Sequence, residues 1–163
     1  MNVSECMRTK LVLAKPDCDY KSLLCKIADP TPRQAYIVDK NYKLLGIVSA
    51  RDLLKEIVPS YMDADLARSL TDDADFLQKQ VEKVKHRCAS DIMITKFVFL
   101  HPHHQLLEAN TLIAERGFNT LPVLDAQGKI LGEITRRDIL VQLVNNCSLF
   151  NLDDKGPVDV SLL

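Results

Sequence analysis

The sequence predicts an α/β protein made of two copies of one strand–helix–strand–strand–helix unit. The segment GIVSARDLL at 46–54 returns as GEITRRDIL at 132–140, after an interval of 86 residues. Residues 7–54 also align with residues 93–140 without gaps, and 14 of the 48 pairs are identical. Chance would give about three. The chain is therefore a tandem duplication, and each copy can be read separately for its elements.

Each copy opens with a strand and a helix. The apolar runs at 11–14 and 97–100 lie just ahead of a proline, which suits short buried strands. A helix is predicted next, from apolar residues spaced i, i+3, i+4, i+7 and i+8, with Asp17 as the N-cap in copy 1. In copy 2, Asn110 is a polar residue on this stripe, and we expect it to make a local hydrogen bond. The stripes are Tyr20, Leu23, Leu24, Ile27 and Ala28 in copy 1, and Leu106, Ala109, Asn110, Ile113 and Ala114 in copy 2.

Each copy closes with a hairpin and a second helix. Residues 35–49 and 121–135 are pairs of apolar runs around a polar turn, which predicts β-hairpins. A unit of about 48 residues is small for a core of its own, so we expect the two units to pack face to face. The second helices are marked by Asp52, Leu53, Leu54, Ile57 and Val58 in copy 1, and by Asp138, Ile139, Leu140, Leu143 and Val144 in copy 2.

A helical insertion is predicted between the copies. Apolar residues recur at helical spacing from Phe76 to Val84, with Thr71 or Asp72 as the N-cap. The last residues show no period. The predicted organisation is repeat 1 at 1–58, the insertion at 59–89, repeat 2 at 90–146 and a C-terminal tail at 147–163.

Composition limits the classes of function. The chain has 163 residues, of which 47% are hydrophobic, and its 21 basic and 22 acidic residues give a net charge of −1. Because nucleic acids and anionic membranes attract strongly basic surfaces, we expect neither as a partner. No apolar run reaches the roughly 18 residues of a membrane-spanning helix, and the first ten residues lack a signal-peptide core. The five cysteines lack C-x-x-C spacing, and we therefore expect a reduced, cytoplasmic protein.

The repeated motif resembles that of a known family. Both copies read Gly-x-x-[Ser/Thr]-x-Arg-Asp, and copy 2 also has DIM at 91–93 and ERGFNTLPVLDAQGKIL at 115–131. In these residues the chain is similar to the CBS (cystathionine β-synthase) domain, over 7–57 and 90–144, in the tandem arrangement called a Bateman module. The resemblance implies two βαββα units related by a pseudo-twofold axis.

The same resemblance implies a function. It implies a stand-alone regulatory module that binds AMP, ADP or ATP in clefts between the repeats, without a catalytic cofactor. The module would sense energy or metabolites for an unidentified partner protein, and would form a homodimer through its second helices. We expect no enzymatic activity, since the sequence has no Walker loop, no G-x-G-x-x-G and no Ser–His–Asp order.

The chemistry of the motif can be argued from its residue types. An ionised carboxylate accepts hydrogen bonds from both hydroxyls of a ribose, and Asp52 and Asp138 each follow a strand at a helix start. The alternative is that both are helix N-caps, which needs no ligand. Hydroxyl and guanidinium groups of the motif are predicted to hold a phosphate. These are Ser49, Thr135, Arg51, Arg136 and Arg137.

The family resemblance places further residues beside the adenine. Phe118 and Pro122 match the apolar wall, whereas repeat 1 has Pro32 and Tyr36 at these positions. We therefore predict that the repeat-2 site binds more tightly. The matching strand-edge residues are Lys10 and Leu11 in repeat 1, and Lys96 and Phe97 in repeat 2.

Two other interpretations stay open. His101, His103 and His104 cluster in HPHH, with His86 and Cys88 upstream, and three or four such ligands can hold zinc. A solvated loop is the simpler interpretation of this cluster. The stronger alternative is a ligand-free scaffold that serves dimerisation or protein docking.

Overall fold

The chain folds into two sheets that carry their helices in the predicted order. A computed structural model describes residues 1–28 and 34–146. Repeat 1 comprises β1 (Leu13–Ala14), α1 (Tyr20–Ala28), β2 (Gln34–Val38), β3 (Leu44–Ser49) and α2 (Ala50–Ile57). Between the repeats lie α3 (Ala64–Arg68) and α4 (Asp73–Val84), and α5 (Ala89–Ile92) opens the second half of the chain. Repeat 2 comprises α6 (Leu106–Arg116), β4 (Thr120–Leu124), β5 (Ile130–Thr135) and α7 (Arg136–Asn146), and a 3₁₀ turn covers Val3–Glu5.

Both predicted hairpins are confirmed, and they share one register. Gln34 lies opposite Ser49 in the β2–β3 pair, and Thr120 lies opposite Thr135 in the β4–β5 pair. Each strand pair therefore delivers the hydroxyl residue of the motif to the same end of its sheet, directly before a helix.

The strand predicted at 97–100 is wrong in extent, because only Leu100 forms a bridge, to Val123. In repeat 1 the corresponding strand β1 pairs in parallel with β2, and the Tyr36 N–H donates to the Val12 carbonyl at 2.9 Å. Pro122 occupies the position of Tyr36 and has no N–H to donate. The ladder of repeat 2 therefore stops after one residue.

Two local predictions in the first helices are also corrected. The Asp19 carboxylate, rather than that of Asp17, accepts from the Ser22 N–H at 2.7 Å and caps α1. Asn110 is exposed, and within the described residues its side chain makes no hydrogen bond. The apolar stripe of α6 is therefore narrower than predicted, and Ala109 and Ile113 are its buried residues.

The two repeats pack face to face, as predicted. Each repeat has its own apolar core, and a third buried cluster joins the two hairpins. The hairpin turns also meet: the Leu44 N–H donates to the Gly128 carbonyl at 3.0 Å, and the Ile130 N–H donates to the Tyr42 carbonyl at 3.1 Å. The joining cluster consists of Tyr36, Val38, Leu44, Leu124 and Ile130.

Each repeat receives its first segment from the other half of the chain. Val3 is buried in the core of repeat 2, whereas Ala89 and Ile92 are buried in the core of repeat 1. The crossing segments approach the motif glycines closely. A Cβ on Gly46 would lie 2.6 Å from Met93 Sδ, and a Cβ on Gly132 would lie 2.6 Å from the Arg8 carbonyl oxygen. Glycine therefore stands in both motifs because the crossing segment leaves no space for a side chain.

The insertion is helical, as predicted, and it packs on repeat 1. Asp72 caps α4 by accepting from the Asp75 N–H at 2.9 Å. Val81 and Val84 contact the repeat-1 core, and Arg87 forms an ion pair with Glu56 of α2. In the part of the chain that the structure describes, no helix has the length and apolarity to cross a membrane. The predicted tail at 147–163 and Pro32 lie outside the described residues.

Candidate functional site

The two motif aspartates have the same local geometry. In repeat 1, Asp52 Oδ2 accepts from the Ser49 N–H at 2.8 Å and from Ser49 Oγ at 2.6 Å. In repeat 2, Asp138 Oδ2 accepts from the Thr135 N–H at 2.9 Å and from Thr135 Oγ1 at 2.6 Å. Each hydroxyl oxygen accepts in turn from the N–H of its aspartate. The motif thus forms a capping box at the start of α2 and of α7, in which Ser49 and Thr135 are the N-caps. The aspartates are the third residues of their helices and complete the box, so the prediction that they are themselves N-caps is wrong.

One carboxylate oxygen of each aspartate lies outside its capping box, and here the copies differ. Asp138 Oδ1 accepts from Arg8 Nε at 2.6 Å, and the side chains of Arg8 and Asp138 are 39% and 12% exposed. Asp52 Oδ1 accepts no hydrogen bond from the described residues. Both carboxylates are half-buried, which strengthens the hydrogen bonds that they accept.

A buried polar contact joins the repeats beside the Arg8–Asp138 pair. The Tyr36 hydroxyl donates to Glu133 Oε2 at 2.5 Å and accepts from Gln34 Nε2 at 2.6 Å. Burial raises the pKa of the Glu133 carboxyl, whereas the Tyr36 hydrogen bond and the Arg8 charge oppose that rise. Burial and the Glu133 charge raise the pKa of the Tyr36 phenol far above its ordinary value. Tyr36 is therefore a neutral donor that ties repeat 1 to the site of repeat 2.

The basic residues predicted to hold phosphate are mostly exposed. Arg51 and Arg137 lie on the surface in the first turns of α2 and α7. Arg136 is also exposed, and its Nε donates to the Phe118 carbonyl at 2.8 Å. The Ser49 and Thr135 hydroxyls donate to their own aspartates, so either one must turn before it can donate to a phosphate.

The residues predicted to flank the adenine are placed unevenly. Lys10 and Lys96 are exposed, and Leu11 and Phe97 are half-buried against the cluster that joins the hairpins. Phe118 packs against the repeat-2 core and keeps some exposed surface. Pro122 and Tyr36 are fully buried. Of the two wall residues predicted for repeat 2, Phe118 alone has surface that faces solvent.

Three residues of this region were missed in the sequence, namely Arg8, Tyr36 as a hydrogen-bond donor, and Glu133. Glu133 did give a signal, because it interrupts the apolar strand at the position where repeat 1 has Ile47. Arg8 gave a similar signal, since repeat 2 has Ile94 at the matching position. Their proximity depends on the exchange of segments between the repeats, which the local pattern does not contain.

The imidazole cluster lies elsewhere, at the start of α6. His101 Nδ1 is 2.9 Å from the Leu124 carbonyl oxygen, and His104 Nδ1 is 3.2 Å from Glu108 Oε1. Over residues 1–28 and 34–146, no three or more His, Cys, Asp or Glu side chains are arranged to hold a metal ion.

The family is decided by comparison with known proteins. The model of the CBS domain matches residues 3–59 and 89–145. This chain belongs to the CBS domain family. Its two matched segments are the two repeats described above, so the chain carries a tandem CBS pair.

Similar proteins occur in Arabidopsis thaliana and in Methanocaldococcus jannaschii. The chain is 28% identical over 145 residues to the chloroplastic CBS domain-containing protein CBSX2 of Arabidopsis thaliana, covering 82% of this chain and 58% of that protein. It is 27% identical over 121 residues to an uncharacterized protein of Methanocaldococcus jannaschii, covering 68% and 72%. A crystal structure of CBSX2 in complex with AMP has a TM-score of 0.68 and 26% identity, covering 88% of this chain and 96% of that chain. The chain spans little more than half of the full CBSX2 sequence.

Proposed function

We propose that this CBS pair binds AMP, ADP or ATP in the clefts between its repeats and acts as a regulatory sensor for a partner protein. The observation that carries the proposal is the carboxylate oxygen that each motif aspartate holds outside its capping box. This oxygen lies at a strand end, half-buried and on a fixed side chain. It is suited to accept from the hydroxyls of a ribose.

The choice of adenine nucleotides draws on a relative. CBSX2, with 26% identity over most of this chain, has been crystallised with AMP. AMP, ADP and ATP are all tested as ligands. No catalytic role is proposed, because the carboxylates are held as caps and acceptors rather than placed as an acid and base pair.

The test separates the cap from the ligand site by substituting asparagine. Asp138→Asn retains a carbonyl oxygen that can accept from Thr135, but it places an amide donor where a ribose hydroxyl would donate. The helix cap should therefore survive while binding is lost. Asp52→Asn is the matched variant in repeat 1.

The two variants should differ in how much of the nucleotide-induced rise in Tm they remove. At about 100 times its Kd, a nucleotide should stabilise the native chain by roughly 2.7 kcal/mol. For a chain of this size that is a rise in Tm of about 5–10 °C. Asp138→Asn should remove most of this rise and Asp52→Asn little of it, because repeat 2 has Phe118 and also Arg136, where repeat 1 has Ala50. If Asp52→Asn proves the damaging change, the tight site has been assigned to the wrong repeat.

A second candidate function is a ligand-free scaffold for a homodimer or for protein docking. It is favoured by apolar side chains that α2 and α7 leave exposed. Leu54 is 57% exposed, and Leu140 and Leu143 are 61% and 51% exposed. Light scattering at micromolar concentration should give a dimer under either proposal. A dimer whose Tm does not respond to any adenine nucleotide at millimolar concentration would favour the scaffold.

The cellular setting follows from the thiols. Cys6, Cys18, Cys25 and Cys88 are all unpaired in the described chain. Unpaired thiols fit a reducing compartment such as the cytoplasm, and we propose that the sensor and its regulated partner meet there.

A further inference from the structure

We propose that Arg8 makes the repeat-2 cleft selective for phosphorylated over unphosphorylated adenosine ligands. This inference rests on the proposed function. Arg8 lies outside the repeated motif and reaches Asp138 only because the first segment of the chain crosses to repeat 2. Arg8 therefore places a guanidinium beside the motif aspartate of repeat 2, whereas repeat 1 has none at the matching position.

The two crossing segments make the same backbone hydrogen bonds to their repeats. The Arg8 N–H donates to the Glu133 carbonyl at 2.8 Å, and the Glu133 N–H donates back to the Arg8 carbonyl at 2.9 Å. Ile94 and Ile47 exchange the same pair of bonds at 2.9 Å and 3.0 Å. Since the two crossing segments run alike, the difference between the clefts lies in the side chains. Asp138 faces a guanidinium, whereas Ile94, 49% exposed, stands at the matching position of repeat 1.

The ion pair makes Asp138 costly for a nucleoside to reach. Oδ2 of Asp138 is used by Thr135, and Oδ1 is used by Arg8 Nε at 2.6 Å. A ribose hydroxyl that donates to Oδ1 must compete with Arg8 for that oxygen or share it, and in either case the neutral donor weakens a bond between two charges. Adenosine carries no anionic group, so it provides no charged acceptor for Arg8 when the Arg8–Asp138 bond is weakened.

A phosphate on the ligand compensates Arg8 for the weakened bond to Asp138. Arg8 is held at Asp138 through Nε alone, and no hydrogen bond from its Nη groups is formed within the described residues. A guanidinium has five N–H donors, so four remain to bind an anion in the fork geometry that suits phosphate. Arg8 is also 39% exposed, which leaves its side chain room to turn. A nucleotide therefore supplies both a ribose hydroxyl that donates to Asp138 and a phosphate that accepts from Arg8.

The test compares the binding of AMP and of adenosine by calorimetry in the full chain. The chain carries Asp52→Asn, so that only binding to the repeat-2 cleft is measured. AMP should bind at least about tenfold more tightly than adenosine, the ratio expected for one charge-assisted contact. Adding Arg8→Gln should lower this ratio by about tenfold, through weaker binding of AMP together with tighter binding of adenosine. Arg68→Gln is the control, because Arg68 is exposed on α3 and pairs with Asp65.

A second variant tests whether an arginine at the matching position of repeat 1 produces the same preference for AMP over adenosine. In the Asp138→Asn chain, Ile94→Arg places a guanidinium opposite Asp52 and should raise the AMP-to-adenosine ratio of that cleft by at least about threefold. Circular dichroism and Tm establish that each variant is folded.

The outcomes distinguish the two proposals. A chain that binds neither AMP nor adenosine contradicts the proposed function and this inference together. A chain that binds both, with a ratio that Arg8→Gln leaves unchanged, contradicts the inference alone. Equal weakening of both ligands by Arg8→Gln would also overturn it, since that result would assign Arg8 to the fold.

Discussion

Alanine at Gly46 and at Gly132 tests the exchange of segments between the repeats. At Gly46, an added Cβ would meet three atoms of Met93, Sδ at 2.6 Å, Cγ at 2.8 Å and Cβ at 2.9 Å. At Gly132, it would meet the Arg8 carbonyl oxygen at 2.6 Å and Met7 Sδ at 2.9 Å. Ordinary contacts begin near 3.4 Å, so the crossing segment must move in either variant. Overpacking of this kind costs about 1–3 kcal/mol.

The two variants should differ in how they are rescued. Met93→Ala removes Sδ and Cγ, the two nearest atoms, and leaves Cβ at 2.9 Å, so the clash in Gly46→Ala is reduced. The double variant should be more stable than the sum of the single effects by at least about 0.5 kcal/mol. Met7→Ala should not rescue Gly132→Ala, because the nearest atom is the backbone oxygen of Arg8, which no substitution removes.

Thermal and urea unfolding of the four single variants and the two double variants provide the measurement. Each kcal/mol corresponds to about 2–4 °C in Tm for a chain of this length. The reasoning is refuted if both glycine variants unfold within a degree of the parent, or if Met7→Ala rescues Gly132→Ala as fully as Met93→Ala rescues Gly46→Ala.

Two further predictions concern the contact between the repeats. Tyr36→Phe removes the donor to Glu133 and leaves a half-buried carboxylate without it, so urea unfolding should show a loss of about 1–3 kcal/mol. Glu133→Gln should stabilise the chain most at pH values above the folded pKa of Glu133, where the carboxyl is charged. The raised pKa of Glu133 means that its contribution is present below its unfolded pKa and is lost as pH rises through the folded value. A gain in Tm that shrinks as pH rises would contradict this sign.

Much of the fold could be predicted because its signals are local. The duplicated motif, the polar turns between apolar runs and the helical spacing of α4 each lie within a short window of sequence. These signals gave both hairpins, both second helices and the inserted helix with its cap at Asp72.

The incorrect structural predictions concern segments whose conformation or packing depends on residues far away in the sequence. The strand at 97–100 fails because Pro122, on the adjacent strand, cannot donate to the carbonyl that would extend the ladder. The exchange of first segments buries Val3 in repeat 2 and Ile92 in repeat 1, and no periodicity within either segment indicates which core it joins.

The candidate site was predictable in its motif and not in its surroundings. Ser49 with Asp52 and Thr135 with Asp138 follow from the repeat, as does their capping role. The partner of Asp138 does not, because Arg8 is 130 residues away in the chain. The difference between the two motif aspartates therefore depends on residues outside the repeated pattern.

Calorimetric titration of the unmodified chain with AMP tests the central claim most directly. We predict saturable binding at two sites per chain, with the tighter Kd at least about tenfold below the weaker one, which corresponds to about 1.4 kcal/mol. The tighter phase should disappear in Asp138→Asn, whose Tm without ligand should fall only by the loss of the Arg8 ion pair, because the hydrogen bond from Thr135 that completes the capping box is retained. No binding heat up to millimolar AMP, ADP or ATP would contradict the account and leave the motif aspartates as helix caps alone.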